Sequence, residues 1–261
     1  MIYEYFCLTD TGRLRESNED SVVLDPDNQV VVLADGMGGY NAGEVASVMA
    51  TTFIKTELGR WLSAGGAQAS AREIKRAMEI CVDNANQSIF NAANSNPQYE
   101  GMGTTLVMGV FQGSRALIGH VGDSRCYRLR GNTLVQITRD HSLLQEQIDA
   151  GLISQEQAQY ATHKNLVTRA LGVEDTVLLE VNEYRAEEGD LYLLCSDGLS
   201  DMVTDGGITA LLASAGTLEE KGRALIDAAN GCGGRDNISV ILAYARSKTV
   251  RRGLLSRMLR Q

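Results

Sequence analysis

The sequence predicts an α+β protein in which antiparallel sheets are covered by helices. Short apolar runs come in groups, whereas a parallel βαβ series would alternate with helices more regularly. Turn residues such as Gln112-Gly113 and Gly131-Asn132 separate consecutive runs. Two stretches of helical period follow one another between the strand groups. The chain has 261 residues, 44% of them apolar and only two of them proline, which suits one globular domain with a sizeable core.

Residues 2–9 and 21–25 read as short strands on either side of the turn-rich TGRLRESNED. VVVLADG is a third strand and GMGGYNAG a tight loop. A helix runs from Glu44 with Val45, Val48, Met49, Phe53 and Trp61 on one face. Ser70 and Glu73 have capping-box spacing and open a second long helix, whose apolar face carries Ile74, Met78, Cys81, Ala85 and Ile89. The two helices are expected to be neighbours, packed on a sheet. TTLVMGVF, SRALIGHVGDSRCYRLR and NTLVQITR read as successive antiparallel strands. Residues 142–161 are helical and polar, with a cap at Ser154 and Gln157. They lack a strong apolar stripe and are expected on the surface as a lid. Strands resume at 177–183 and 190–195, a helix capped by Thr217 and Glu220 covers 218–230, and ISVILAYA is the last strand.

The formal net charge of -9 argues against a nucleic-acid binder. The five cysteines, Cys7, Cys81, Cys126, Cys195 and Cys232, form no CxxC and are odd in number, so free thiols in a reducing compartment are expected. Met1 leads directly into IYEYFCLTD, without a basic or long apolar leader. No apolar run reaches the roughly 18 residues of a spanning helix. Together these predict a cytoplasmic protein.

Four aspartates stand at ends of apolar runs: Asp35 in VVVLADG, Asp123 in ALIGHVGDS, Asp197 in LYLLCSDG and Asp236 opening DNISVIL. A carboxylate at the end of a buried strand is costly unless a cation or donor neutralises it. Several gathered at one place repel one another and call for multivalent cations. The pattern points to an all-oxygen site for Mg²⁺ or Mn²⁺ and to metal-assisted chemistry. Asp20 follows a turn and could reach the same site directly or through water, while Glu19 reads equally as a solvated surface residue. Gly36 would let the chain turn sharply and bring its carbonyl near a cation. A plain Asp-Gly turn also explains that dipeptide; its recurrence at Asp197-Gly198 is what favours the site. Arg15 offers a guanidinium fork that fits a phosphate bidentately, or else a weak surface ion pair.

Other chemistries fit poorly. GMGGYNAGEV has Glu44-Val45 where a P-loop needs Lys and Ser or Thr, and Asn41 where GxGxxG needs its third glycine. There is no GxSxG and no HExxH. His120 lies in an apolar strand, His141 in RDHSL reads as a helix-start or loop residue, and His163 falls in the lid; none has the context of a triad base.

RESNED, ADGMGGYNAGEVAS, MGTTL, GHVGDSR, ITRDHSL, LCSDGLSD and GGRDN, in that order, resemble the PPM/PP2C-type serine/threonine protein phosphatases, most of all the bacterial single-domain members. The resemblance covers residues 3–245. It implies a four-layer α-β-β-α sandwich of two antiparallel sheets, with a binuclear Mn²⁺ or Mg²⁺ centre in a cleft. By motif position Asp35 bridges both ions, Asp197 and Asp236 complete the shell of the first, and the Gly36 carbonyl serves the second. Asp20, with Glu19, acts mainly through bound water, and Asn237, like Glu19, stands behind the direct ligands. Bacterial members often hold a third ion, which Asp123 with Asp197 would supply. Arg15 matches the arginine that binds the substrate phosphate, and a segment at 142–170 matches the flap bordering the cleft. The implied activity is hydrolysis of phosphoserine and phosphothreonine in proteins by a hydroxide bridging the two ions, opposing a serine/threonine kinase, without a phosphoenzyme. A monomer fits the family.

Met37 stands where eukaryotic members carry a histidine proposed to protonate the leaving group; the general acid is unassigned, with water as the fallback. A catalytically silent, phosphoprotein-binding relative is the alternative, and the presence of every required carboxylate argues against it. The tail, 246–261, lies beyond the resemblance. Leu254, Leu255, Met258 and Leu259 share a helical face among Arg251, Arg252, Arg257 and Arg260, which suits a membrane surface or an acidic partner. A frayed or self-docked terminal helix is the plainer reading.

Overall fold

The computed structural model describes residues 1–39, 42–154, 157 and 166–247. Two antiparallel sheets are stacked face to face. One has the order β1-β11-β10-β7-β8, from Ile2–Asp10, Ile238–Arg246, Leu191–Cys195, Arg125–Arg130 and Thr133–Gln136. The other has the order β2-β3-β5-β6-β9, from Asp20–Asp25, Val30–Met37, Leu106–Gln112, Arg115–Val121 and Glu180–Arg185, with the short β4, Gly103–Thr104, also pairing with β3. Helices α1 (Ala42–Ser63) and α2 (Ala71–Ser95) cover the second sheet; α4 (Asp197–Ser200), α5 (Asp205–Ala213) and α6 (Leu218–Gly231) cover the first.

Alternation along the strands builds the layers. In β3, Val30, Val32 and Ala34 pack under α1 and α2, while Val31 and Leu33 face the other sheet. In β10, Leu191, Leu193 and Cys195 face the helices, while Tyr192 and Leu194 meet Phe111 and Ile241 between the sheets. With both faces covered, these strands read in the sequence as unbroken apolar runs. Three apolar layers alternate with four structural ones, which is the expected α-β-β-α sandwich.

Both capping boxes form: Ser70 with Glu73 before α2, and Thr217 with Glu220 before α6. The expected α2 face is buried throughout. The expected α1 face is not. Val48 and Trp61 are exposed, and the buried side is Ala42, Ala46, Ala50, Ile54, Leu58 and Leu62, stepping every fourth residue. Small residues let the start of this helix lie close against β3, so the bulkier apolar residues fall beside or outside the contact. TTLVMGVF is broken at Thr105 into β4 and β5, the strand expected at 177–183 starts at Glu180, and α5 was not expected at all. In the lid, α3 (Leu143–Asp149) is capped by Ser142 and has no fully buried residue, as its polar sequence predicts. Ser154 and Gln157 exchange the expected capping bonds. His163 and the tail from residue 248 lie outside the described residues. Among the described residues no helix is long and apolar enough to cross a membrane.

Candidate metal centre

The start of β2 and the end of β3 lie side by side, which sets Asp20 directly opposite Asp35. The end of β10 and the start of β11 adjoin in the same way in the other sheet. Asp197 opens α4 just after β10, and Asp236 precedes β11. Asp123 sits in the bend between β6 and β7. The Ser196 hydroxyl crosses from one sheet to the other, donating to Asp20 Oδ2 at 2.8 Å.

The carboxylates act on one another. Asp35 is held well above the usual carboxylate range by burial, then by the charges of Asp20, Asp197, Asp123 and Asp236. Asp197 is raised likewise, by burial and then by Asp123, Asp201, Asp236 and Asp20. Burial above all pushes Asp20 and Asp123 up to about 6. Of the candidate ligands, Asp20, Asp35, Asp123, Asp197 and Asp236 therefore come together. Asp201, which the sequence reading left unassigned, joins them; its only signal was helical spacing, four residues after Asp197.

Neighbouring groups anchor the segments that carry Asp35, Asp123 and Asp20. The Asp35 carbonyl accepts the Thr105 N–H at 2.8 Å and the Thr104 hydroxyl at 2.9 Å, and the Asp35 N–H donates to Thr105 Oγ1 at 3.1 Å. Thr105 Oγ1 lies 2.7 Å from Ser124 Oγ, linking Asp35 to the Asp123 bend. Asn237 is buried; its Oδ1 accepts the Glu19 N–H at 2.8 Å, and its Nδ2 donates to the carbonyls of Thr11 and Ser17 at 2.9 Å each. It fastens the loop bearing Arg15 and Asp20 to the start of β11.

Gly36 does not make the sharp turn expected. β3 runs on through Gly36 to Met37, so Asp35 lies within its strand. Glycine is required because a Cβ there would stand 2.1 Å from the Gly43 carbonyl and 2.6 Å from that of Glu19. The glycine admits the first turn of α1. Glu19 lies over that same turn, where a Cβ on Gly43 would approach its Oε2 to 2.6 Å. At the rim, Arg15 Nη2 donates to Asp236 Oδ2 at 2.8 Å, with 53% of the arginine side chain exposed. Burial, His120 and Arg169 push the His141 imidazole down to about 4, which favours its neutral form.

The donor set fits hard divalent cations. The candidate ligand atoms are all oxygens, the carboxylates raise one another, and one oxygen, Asp20 Oδ1, is buried with no hydrogen-bond partner among the described residues.

Carboxylates crowded in this way within a sandwich of two antiparallel sheets define a metal-dependent hydrolase. The family model described as Protein phosphatase 2C matches residues 14–235, and the chain belongs to that family. Its relatives include the Serine/threonine phosphatase stp of Listeria monocytogenes serovar 1/2a, 42% identical over 90% of this chain and 92% of that protein. The Protein phosphatase PhpP of Streptococcus pneumoniae is 35% identical over 92% and 96%. Among solved structures, the Mycobacterium tuberculosis serine/threonine phosphatase PstP/Ppp has a TM-score of 0.85 at 36% identity, covering 95% of this chain and 100% of that one. The catalytic domain of PstP in complex with 2 manganese ions has a TM-score of 0.81 at 35% identity, covering 94% and 99%.

Proposed function

We infer that Asp35, Asp197, Asp236 and the Gly36 carbonyl hold two Mn²⁺ or Mg²⁺ ions, that Asp20 and Glu19 act mainly through ordered water, and that Asp123 with Asp197 holds a third. The chain is a protein serine/threonine phosphatase that depends on divalent metal, and its substrates are phosphorylated proteins. The observation that carries the ligand assignment is the convergence on Asp35 of four other aspartates from distant segments.

When bound, such ions polarise phosphoryl oxygens and activate water. The protein's own groups do the rest. Asp35 has its backbone fixed at both its N–H and its carbonyl, which sets where its carboxylate starts from. Arg15 stands half in solvent, where its fork can bind two of the three terminal oxygens of a phosphomonoester. Asp236 orients that fork from below through the 2.8 Å ion pair. Asn237 keeps the arginine's loop in register with Asp236. Met37 offers no proton, so the leaving alkoxide draws its proton from a group other than residue 37.

We read the phosphatase domain as residues 1–245, with a flap at 142–170 and a separate tail at 246–261. We take it to act as a monomer opposing a serine/threonine kinase; the substrate class supports the kinase. The five free thiols support a cytoplasmic setting. The test is hydrolysis of a phosphothreonine peptide with and without Mn²⁺, by the parent and by Asp35→Asn and Asp197→Asn. Both variants should lose at least the roughly 100-fold that even outer partners of a metal ligand cost. Rates indifferent to metal and to both substitutions would refute the assignment.

A further inference from the structure

Apart from the aspartate cluster, His120, His141 and Glu180 bring their ligand atoms within 4.8 Å of one another. A transition-metal site is the first idea, and the hydrogen bonds argue against it. His120 Nε2 lies 2.7 Å from the Arg139 carbonyl, which can only accept, so that nitrogen carries the proton. His141 Nδ1 accepts the Gly122 N–H at 3.1 Å. A neutral His141 ring therefore carries its proton on Nε2, the atom 3.5 Å from the Glu180 carboxylate. A metal there would have to displace that proton while Nδ1 went on accepting. The two rings also stack, 4.6 Å apart and 17° from parallel. Ring lone pairs lie in the ring plane, so those of two stacked rings do not converge on one ion.

The group makes a clamp instead. The His141 N–H donates to the Gly122 carbonyl at 2.9 Å while its ring accepts the Gly122 N–H, so the two residues are joined twice. Beside them Arg125 grips Asp140 through Nε at 3.0 Å and Nη2 at 2.6 Å, and Thr138 Oγ1 accepts the Cys126 N–H at 2.9 Å. Residues 138–141 are thus laced along 120–126, the segment that contains Asp123. On its far side the His141 carbonyl accepts the Thr168 N–H at 2.8 Å, at the foot of the lid. Gly122 has a φ of +100°, and a Cβ there would meet Thr105 Cβ at 2.8 Å. The bend is therefore one that a side chain at 122 could not adopt, and its N–H needs a fixed acceptor.

We propose that His141 is a positioning residue of the metal centre, whose ring fixes the Gly122–Ser124 bend and so aims Asp123 at the aspartate cluster. The proposal rests on the reading of Asp123 as a metal ligand. Glu180 and the stacked His120 hold the ring in the orientation that presents Nδ1 to Gly122.

Two substitutions in the full-length chain separate the ring's two nitrogens. His141→Asn puts an amide oxygen about where Nδ1 stands and keeps an acceptor for Gly122. His141→Gln reaches toward the Nε2 position and takes that acceptor away. Amide hydrogen exchange at Gly122 is measured in the metal-free protein, with the amides of β1 and β11 as internal reference. Mn²⁺ binding is measured by titration, reading free Mn²⁺ by electron paramagnetic resonance. In His141→Gln, Gly122 should exchange about 10-fold faster against unchanged reference amides, and the weakest Mn²⁺ site should loosen about 10-fold, as losing an outer partner does. His141→Asn should track the parent in both readings. Equal shifts in the two variants, or unmoved Gly122 exchange in His141→Gln, overturn the proposal. So does a bound metal equivalent lost from both variants without a change at Gly122, which would restore the histidine metal site. Asp123→Asn isolates the underlying reading: unchanged Mn²⁺ binding there removes Asp123 from the metal shell, whatever the His141 variants do at Gly122.

Discussion

Asp20 and Asp35 face each other across the β2–β3 ladder, two carboxylates at one register position. Like charges placed so are destabilising without a cation between or beside them. A carboxyl that holds its proton more tightly in the folded chain than in the unfolded one adds stability below the unfolded value, near ~4. That stability is lost as the pH rises through the folded value. Asp20 and Asp123 are both raised to about 6. The metal-free protein should lose stability between about pH 4 and pH 6 relative to Asp123→Asn, followed by thermal melting. Saturating Mn²⁺ or Mg²⁺ should cancel the loss. A metal-free melting point that climbs relative to the variant over that range contradicts the cluster.

Among the described residues the Arg15 side chain bonds only to Asp236, and it is half exposed, so removing it should cost binding and not folding. A charge-assisted hydrogen bond is worth about 1.5–3 kcal/mol, which corresponds to roughly 10–100-fold. Arg15→Ala should lower kcat/KM for a phosphothreonine peptide by that factor with an unchanged melting point. Arg15→Lys should recover only part, lacking the planar fork.

Asn237 makes bonds that no other residue type can reproduce at once. Asn237→Asp keeps the acceptor for Glu19 but loses both donations, to Thr11 and Ser17. Losing the two bonds should cost about 1–3 kcal/mol. Chemical denaturation would show it, together with loss of activity at concentrations where the chain is still folded.

Gly36→Ala drives a methyl group to 2.1 Å from the Gly43 carbonyl, a backbone atom that cannot swing aside. Overpacking of this kind costs about 1–3 kcal/mol. Because the displaced strand carries Asp35, Mn²⁺ affinity should fall as well. Gly39→Ala, with no atom within 4 Å of its added Cβ, should leave both quantities unchanged.

The face of α1 is open to a direct test. Ala46→Leu inserts three heavy atoms into the contact with β3 and should destabilise by about 1–3 kcal/mol. Val48→Ala, on the exposed side, should stay within about 0.5 kcal/mol in the same urea titration.

Much of this architecture was legible. Strands buried on both faces write continuous apolar runs, and the α2 and α6 capping boxes write Ser or Thr three residues before Glu. Asp35, Asp123, Asp197 and Asp236 were legible because each stands at the edge of an apolar run and the Asp-Gly pair recurs, and Asp20 because it follows a turn beside them. What escaped had no local signature. The α1 face is set by how closely a helix can approach a strand, which favoured Ala46 and Ala50 over Val48 and Trp61. Helix α5 opens Asp205-Gly206-Gly207, a run that reads as a loop, and is held by Thr204, whose hydroxyl accepts the Gly207 N–H. Asp201 borders no apolar run. The Gly122–His141 and Arg125–Asp140 clamps join side chains to partners 15 to 19 residues away, and no periodicity announces such pairs.

β11, the last strand among the described residues, is threaded between β1, the first of them, and β10. Until it arrives, β1 has no neighbour in its sheet, and Asp236 and Asn237 are missing from the cluster. A chain truncated before Asp236 should therefore be enzymatically mute, however much of its N-terminal half has already condensed.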